Sequence, residues 1–282
     1  MAISLATNVD TASVLRNLDK TQRMISGNIQ RLSSGLRITK AADDAAGLAI
    51  SEQLKAQIRG FAQAQRNGSD GISMTQVAEG ALNEIHTALI RMRELAVQAA
   101  NGTNNATTRD FINSEYVSLK SEIDRISNST NFNSQKLLNT SVSFTFQIGA
   151  FALTTENTIQ VSMADMNTSA LGGTVANSTT LAGTTVSTVT QALFSISSID
   201  QAITDVSQQR GRIGAAQNRL TLAIDNLASA RENLLSANSR VRDVDVATET
   251  SEFTRNQILG QAGVSVLAQA NQLPSVGLSL LR

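Results

Sequence analysis

The longest unbroken hydrophobic pattern in the chain lies between Ile213 and Val244. Apolar residues recur there every three or four positions, a spacing that aligns them along one face of an α-helix. These positions are Ile213, Ala216, Leu220, Ala223, Leu227, Ala230, Leu234, Ala237, Val241 and Val244. Alanines alternate with larger residues, so a partner helix can approach closely. The pattern predicts a long helix that packs against another helix.

Three shorter patterns have the same spacing. The first is interrupted by one amide at Gln22 and comprises Leu15, Leu18, Gln22, Ile25, Ile29, Leu32 and Leu36. The second comprises Leu82, Ile85, Leu89, Met92, Ala96 and Ala99, and Asn101-Gly102 follows it as a helix stop. The third comprises Ile112, Tyr116, Leu119, Ile123 and Ile126, and it predicts a short helix that folds back.

The helical patterns at the two ends of the chain are each incomplete alone, so we expect the N-terminal segment to pair with the C-terminal segment. Burial of one aliphatic side chain is worth about 1.5–3 kcal/mol, enough for such a pattern to hold helices together. Periodicity leaves open whether these contacts form within a subunit or between subunits.

A different composition separates the third and fourth helical patterns. Residues 137–199 carry only Glu156 and Asp165 as charged groups. Apolar and polar residues alternate from Val142 to Ile148 and again from Ile159 to Met163, which predicts a β-hairpin. Residues 174–190 consist mostly of Thr, Ser, Ala, Val and Gly and predict a surface loop or short irregular excursion. The predicted fold class is mostly α: a long antiparallel helical bundle or coiled coil formed by the N- and C-terminal segments, with a small β-hairpin insertion.

Charge and composition exclude several functions. Lys plus Arg and Asp plus Glu number 23 each, so no net field attracts nucleic acid. One histidine, His86, and no cysteine argue against a metalloenzyme or other hydrolase, and Asp43-Asp44 predicts a helix cap or solvated loop. No segment approaches the roughly 20 apolar residues of a membrane span. Met1–Asp10 lacks the pattern of a cleaved signal, so any export is expected to use another route.

Several motifs closely resemble those of the bacterial flagellins. The N-terminal matches are IQRLSSGLR at 29–37, AADDAAGLAI at 41–50, RELAVQ at 93–98 and NFN at 131–133. The C-terminal matches are GRIGA at 211–215, NRL at 218–220, NL at 226–227 and AQANQ at 268–272. The resemblance implies a non-enzymatic filament subunit without cofactors, located in the secreted, extracellular flagellum and used for swimming motility. The alternative is a hook-filament junction protein, which shares terminal helices of this type.

The resemblance also implies a division into five segments and a set of partners. The segments are an N-terminal inner-tube helix at 1–40, spoke and outer-tube helices at 41–136, the β-hairpin with a short variable Ser/Thr-rich segment at 137–190, a C-terminal outer-tube helix at 191–243 and a C-terminal inner-tube helix at 244–282. The projecting outer domains of larger flagellins are expected to be missing. Implied partners are other flagellin subunits, the flagellar type III export apparatus, a secretion chaperone, and the filament cap and hook-junction proteins.

Two sets of functional residues are predicted. The assembly seam combines positions of the first and fourth helical patterns: Leu15, Leu18, Ile25, Ile29, Leu32, Leu220, Leu227, Leu234 and Val241. By resemblance, Arg91, Leu95 and Glu115 match positions through which many flagellins bind the innate immune receptor TLR5. The alternative for these three is an ordinary Arg91–Glu115 surface pair, with Leu95 in a subunit contact. Resemblance also makes Ser and Thr residues between 174 and 190 candidates for O-linked sugar.

Overall fold

The computed structural model describes residues 9–151, 156–173 and 180–279, and most of them are helical. The helices are α1 (Val9–Ser34), α2 (Ala45–Ala100), α3 (Ala106–Ser129), α4 (Val189–Arg242) and α5 (Val246–Ser279). The strands are β1 (Asn131–Phe132), β2 (Gln135–Lys136), β3 (Val142–Gln147) and β4 (Thr158–Met163). The predicted mostly α class with a small β insertion is confirmed. Two compact units are formed, one by Met1–Ile58 with Glu232–Arg282 and the other by Arg59–Arg231.

Short polar residues and glycine set the helix ends. The Asp44 carboxylate accepts the Gly47 amide at 2.9 Å and caps the start of α2, which confirms the predicted cap. Asn105 caps α3 in the same way, by accepting the Thr108 amide. At the end of α1, Gly35 has a φ of +69°, a left-handed conformation that stops the helix. Leu36 therefore lies outside α1, and its predicted place on the first helical pattern is wrong.

The break between α4 and α5 corrects the fourth helical pattern in a similar way. The helix ends at Arg242, and Val244 lies in the connection to α5 rather than on the helix. The cause is tertiary: Leu36 and Asp243 form an antiparallel bridge, and the Val244 amide donates to the Gly35 carbonyl at 3.1 Å. These backbone hydrogen bonds replace the helical ones that would have continued through Val244.

The core of the second unit is aliphatic and centres on α2. All six members of the second helical pattern are fully buried, which confirms that pattern: Leu82, Ile85, Leu89, Met92, Ala96 and Ala99. α3 runs antiparallel to α2 and adds Ile112, Tyr116 and Ile123 to the same cluster, so the predicted return helix is also confirmed.

The predicted hairpin forms. β3 and β4 pair antiparallel, with Val142 opposite Met163 and Gln147 opposite Thr158. Ile159, Val161 and Met163 are buried while Gln160 and Ser162 face solvent, as the period of two requires. A second, tiny antiparallel pair, β1 with β2, turns through Asn133 and Ser134, both at positive φ. No hydrophobic alternation marks these two-residue strands.

The segment between β4 and α4 is more ordered than its composition predicts. Met166, Leu171, Leu181 and Val186 are buried, and Leu181–Gly183 forms a 3₁₀ turn. α3 holds this segment through polar contacts, since Lys120 donates to the carbonyls of Ala182 and Thr184 and Asp124 accepts from Thr168. The predicted irregular excursion is thus a packed connector over 180–188 that leads into α4, whereas 174–179 lie outside the described residues.

Candidate functional site

The terminal helices form an antiparallel pair within the first unit. α1 presents Val14, Leu18, Thr21, Ile25, Asn28 and Leu32, while α5 presents Glu249, Phe253, Asn256, Gly260, Gly263, Leu267 and Ala270. Both series alternate steps of three and four, the spacing of a coiled-coil stripe. A Cβ added at Gly263 would lie 3.4 Å from Leu18 Cδ1, and one at Gly260 would lie 3.6 Å from Ile25 Cδ1. The two glycines therefore allow α1 and α5 to approach closely.

A polar cluster occupies the most buried part of this helix pair. Asn28 is 1% exposed and Glu249 is 8% exposed. The Asn28 amide donates to Glu249 Oε1 at 2.7 Å, and Arg31 Nε donates to the same oxygen at 2.8 Å. Asn256 donates in turn to Asn28 Oδ1 at 3.1 Å. The carboxylate is thus buried with a charged partner and an amide partner, as a buried charge requires.

The predicted seam residues of α1 divide between two faces. Leu18, Ile25 and Leu32 are half-buried on the stripe, whereas Leu15 and Ile29 are 44% and 51% exposed. The amide in the interface is Asn28 rather than Gln22, which is exposed, so the predicted position of the core amide is wrong. At positions 22 and 29, α5 packs instead against the residue of α1 that precedes the predicted one.

Large apolar side chains remain on the outer faces of the same pair. On α1 the exposed ones include Val9, Leu15, Met24 and Ile29, and on α5 they include Val246, Ile258, Leu259, Val264 and Val266. Exposed aliphatic residues in such number on paired helices are typical of a surface that contacts other chains.

The seam residues of α4 are more enclosed. Leu220 is fully buried and Leu227 nearly so within the second unit, and Leu234 and Val241 are half-buried within the first. At the end of the helix, Arg242 donates to Glu52 at 2.6 Å, and Arg37 donates to the Val241 carbonyl at 2.8 Å. Two arginines thus support the backbone bridge between Leu36 and Asp243.

The three residues matched to receptor recognition lie close together on α2 and α3. Arg91 forms ion pairs with Glu115 at 2.8 Å and with Glu94 at 3.0 Å, and all three side chains are about half exposed. The hydrogen bonds to Glu115 and then to Glu94 raise the pKa of Arg91, so the guanidinium stays charged. Leu95 is 1% exposed and belongs to the core beneath this surface. A partner could contact Arg91 and Glu115 directly, and Leu95 holds α2 in place below them.

Sequence reasoning missed the α5 stripe and the Asn28–Glu249 contact. Gly, Ala, Asn and Glu occupy most stripe positions of α5, so hydrophobic periodicity could not reveal them. The only available signal was the spacing of three and then seven residues between Gly260, Gly263 and Ala270, which places these small residues on one helix face.

Neither metal nor membrane features emerge from the part of the chain that the structure describes. It contains no group of three or more His, Asp or Glu residues placed to hold a metal ion. Likewise, no helix within it is both long and apolar enough to cross a membrane. His86 is half-buried on α2.

Paired terminal helices with exposed apolar faces define a helical assembly protein, and comparison with known proteins specifies which one. Residues 5–143 match the bacterial flagellin N-terminal helical region, and residues 196–281 match the bacterial flagellin C-terminal helical region. A flagellin of Halalkalibacterium halodurans is 46% identical over 276 residues, covering 98% of each chain. The chain belongs to the bacterial flagellin family.

Two further similarities address function and fold. The flagellar filament 33 kDa core protein of Treponema phagedenis is 41% identical over 98% of both chains. A structure of a flagellar hook-associated protein from Vibrio parahaemolyticus covers 71% of this chain and all of its own, with 14% identity and a TM-score of 0.59, which shows a shared fold alone. The chain is a structural subunit of the bacterial flagellar filament, in a family of structural proteins, and it assembles with other flagellin subunits outside the cell.

Proposed function

We propose that the subunit polymerises through the α1–α5 pair, using the apolar side chains that the pair leaves exposed. The observation that supports this most directly is the distribution of residues in the pair. The contact between α1 and α5 buries Thr21, Asn28 and Glu249, while Leu15 and Ile29 remain exposed. A helix pair that served only the isolated chain would be expected to bury the aliphatic positions and expose the polar ones.

The energetics favour additional helices around this pair. Each exposed aliphatic side chain is worth about 1.5–3 kcal/mol when buried. Association costs an estimated ~4–15 kcal/mol, so several such side chains together can offset it. If different faces of the pair contact different neighbours, the interface is heterologous. When the rotation from one subunit to the next does not close into a ring, such an interface produces an open helical filament.

Electron microscopy of purified subunits after seeding tests this proposal. The parent is expected to form long tubes of uniform diameter. Ile29→Asp should abolish them, because burial of an unpaired carboxylate is costly. Gln30→Asp is the matched control, since it places the same charge on a neighbouring exposed position of α1, and it should still polymerise. Equal polymerisation of the two variants would contradict the proposal.

The resemblance to flagellins extends the proposal to roles beyond self-assembly. The five-segment division into inner-tube, spoke and outer-tube elements is carried over on that basis. So are export through the flagellar type III apparatus, contact with a secretion chaperone, the filament cap and hook-junction proteins, residence in the secreted extracellular flagellum, and the absence of enzymatic activity. The alternative, a hook-filament junction protein, would not polymerise alone, so the seeded assay separates the two functions.

Recognition of the monomer by TLR5 is a second proposed role. Arg91 and Glu115 lie within one ion-paired group on the α2–α3 surface, half exposed and therefore accessible in the single subunit. Leu95 supports that surface from the core and is not itself a contact. Contact with neighbouring subunits would cover this surface in the filament.

A further inference from the structure

The centre of the α1–α5 pair contains side chains that identify one alignment of the two helices. Asn28 and Glu249 are both buried, and they meet across the pair with a donor–acceptor distance of 2.7 Å. Arg31 and Asn256 complete the cluster. The rest of the stripe is less distinctive, because Leu18, Ile25 and Leu32 repeat at heptad spacing with side chains of similar size, and Gly260, Gly263 and Ala270 on α5 are small.

Small stripe residues permit alternative registers. If α1 slides by one heptad against α5, both stripes still match in spacing, because each alternates steps of three and four. The slide moves Glu249 seven residues along α1 and away from Asn28. A buried carboxylate then loses its amide donor and its arginine, which is strongly unfavourable.

We propose that the cluster of Asn28, Arg31, Glu249 and Asn256, together with the Leu36–Asp243 bridge at the start of the pair, specifies the register of the terminal helix pair. The register in turn determines which exposed apolar residues of α1 lie beside which exposed apolar residues of α5. It therefore sets the shape of the surface that contacts neighbouring subunits. A buried polar group in a helix pair commonly provides such specificity at some cost in stability. The inference rests on the proposed polymerisation through this pair.

Cysteine cross-linking can read the register directly, because the chain contains no cysteine of its own. Ile25→Cys with Gly260→Cys reports the observed register, since Ile25 Cδ1 lies 3.6 Å from a Cβ at position 260. Val14→Cys with Gly260→Cys reports a slide of one heptad, which brings position 14 to the place that Thr21 occupies beside Gly260. Filaments are oxidised and then dissolved, and intramolecular links are recognised because the product keeps the mass of one subunit.

The test compares these two reporters in filaments of the parent and of Asn28→Leu/Glu249→Leu. The double substitution removes the amide and the carboxylate together, so no buried charge is left without a partner. The ratio of shifted to observed cross-link is expected to rise at least about tenfold, the factor that a charged hydrogen bond typically provides. The matched control, Gln22→Leu/Glu252→Leu, also replaces one amide and one glutamate by leucine, but at exposed positions of α1 and α5, and it should leave the ratio unchanged.

An unchanged ratio in the Asn28→Leu/Glu249→Leu filaments would overturn the proposal. If that variant forms no filaments alone, the reporters are read in copolymers with excess parent subunits, which carry no cysteine. Failure to enter copolymers that accept the control variant would also overturn it, since the cluster would then be needed for folding rather than for register. Absence of filaments from the parent itself would instead contradict polymerisation, so the two proposals fail separately.

Discussion

Arg91 on α2 and Glu115 on α3 form an ion pair of 2.8 Å across the turn between the two helices. Both residues are in the set matched to TLR5 recognition. We expect Arg91→Ala to lower the potency of the monomer on TLR5-bearing cells at least about thirtyfold, because loss of an interface arginine often costs about 2 kcal/mol or more. Glu115→Ala should cost less, since solvent and salt screen an exposed charge.

The matched control for this prediction is Arg93→Ala. Arg93 lies two residues away on α2 and is similarly exposed, but it pairs with Asp200 on α4 instead. It should retain potency, and intact filaments should be nearly silent. Signalling by Arg91→Ala at the parent's level, with helical circular dichroism unchanged, would remove the residue from the proposed recognition surface.

Two glycines of α2 should respond oppositely to the same substitution. A Cβ at Gly80 would meet nothing within 4 Å, so Gly80→Ala should stabilise the monomer by about 0.5–1 kcal/mol through reduced chain entropy. At Gly71 a Cβ would lie 3.1 Å from Phe146 and 3.2 Å from Leu220, so Gly71→Ala should destabilise it through overpacking. Thermal unfolding of the two variants measures the difference. A shift of the same sign in both would contradict the packing of β3 on α2.

Tyr116, the chain's only tyrosine, should titrate abnormally. It is fully buried, and its hydroxyl lies 2.7 Å from the Thr184 hydroxyl. Burial, opposed by hydrogen bonds to Thr184 and Ser195, raises the pKa of Tyr116. Tyrosinate absorbance should therefore appear at higher pH in the folded protein than in urea, where the pKa is about 10.

The same shift predicts a pH dependence of stability. Because the pKa of Tyr116 is raised in the folded protein, the stability that Tyr116 contributes is fully present below about pH 10. This stability is lost as pH rises through the pKa of the folded state. Tyr116→Phe should remove this alkaline loss while costing about 1 kcal/mol at neutral pH for the hydrogen bond. Urea unfolding at neutral and alkaline pH tests both statements, and an identical alkaline loss in Tyr116→Phe would assign it to other groups.

The terminal segments should resist proteolysis only after assembly. In the free subunit the contact between α1 and α5 buries Thr21, Asn28 and Glu249, while large apolar side chains such as Ile29 and Ile258 stay exposed. Helices without such packing are marginal in water. Limited digestion of monomer is expected to trim toward Leu36 from one end and toward Val244 from the other, leaving a resistant centre. Equal resistance of the ends in monomer and filament would count against this.

Local sequence was sufficient to predict the buried face of an element where the buried positions follow the period of a helix or a strand. The six buried α2 positions from Leu82 to Ala99 and the alternating face of β4 are apolar at the spacing that their element imposes. The caps at Asp44 and Asn105 are equally local, because a short side chain bonds to an amide three residues ahead. Such features depend on neighbours along the chain, and the sequence by itself determined them.

Only the tertiary structure decided which faces of the terminal helices meet. The stripe of α1 passes through Thr21 and Asn28 rather than Gln22 and Ile29, and α5 opposes it with Glu249, Asn256 and two glycines. A hydrogen bond between residues 221 positions apart leaves no trace in local hydrophobicity. The same holds for the bridge from Leu36 to Asp243, which ends α4 two residues before the apolar pattern does. Close approach and polar pairing between distant segments set these features, because their free energy exists only once both helices are in place.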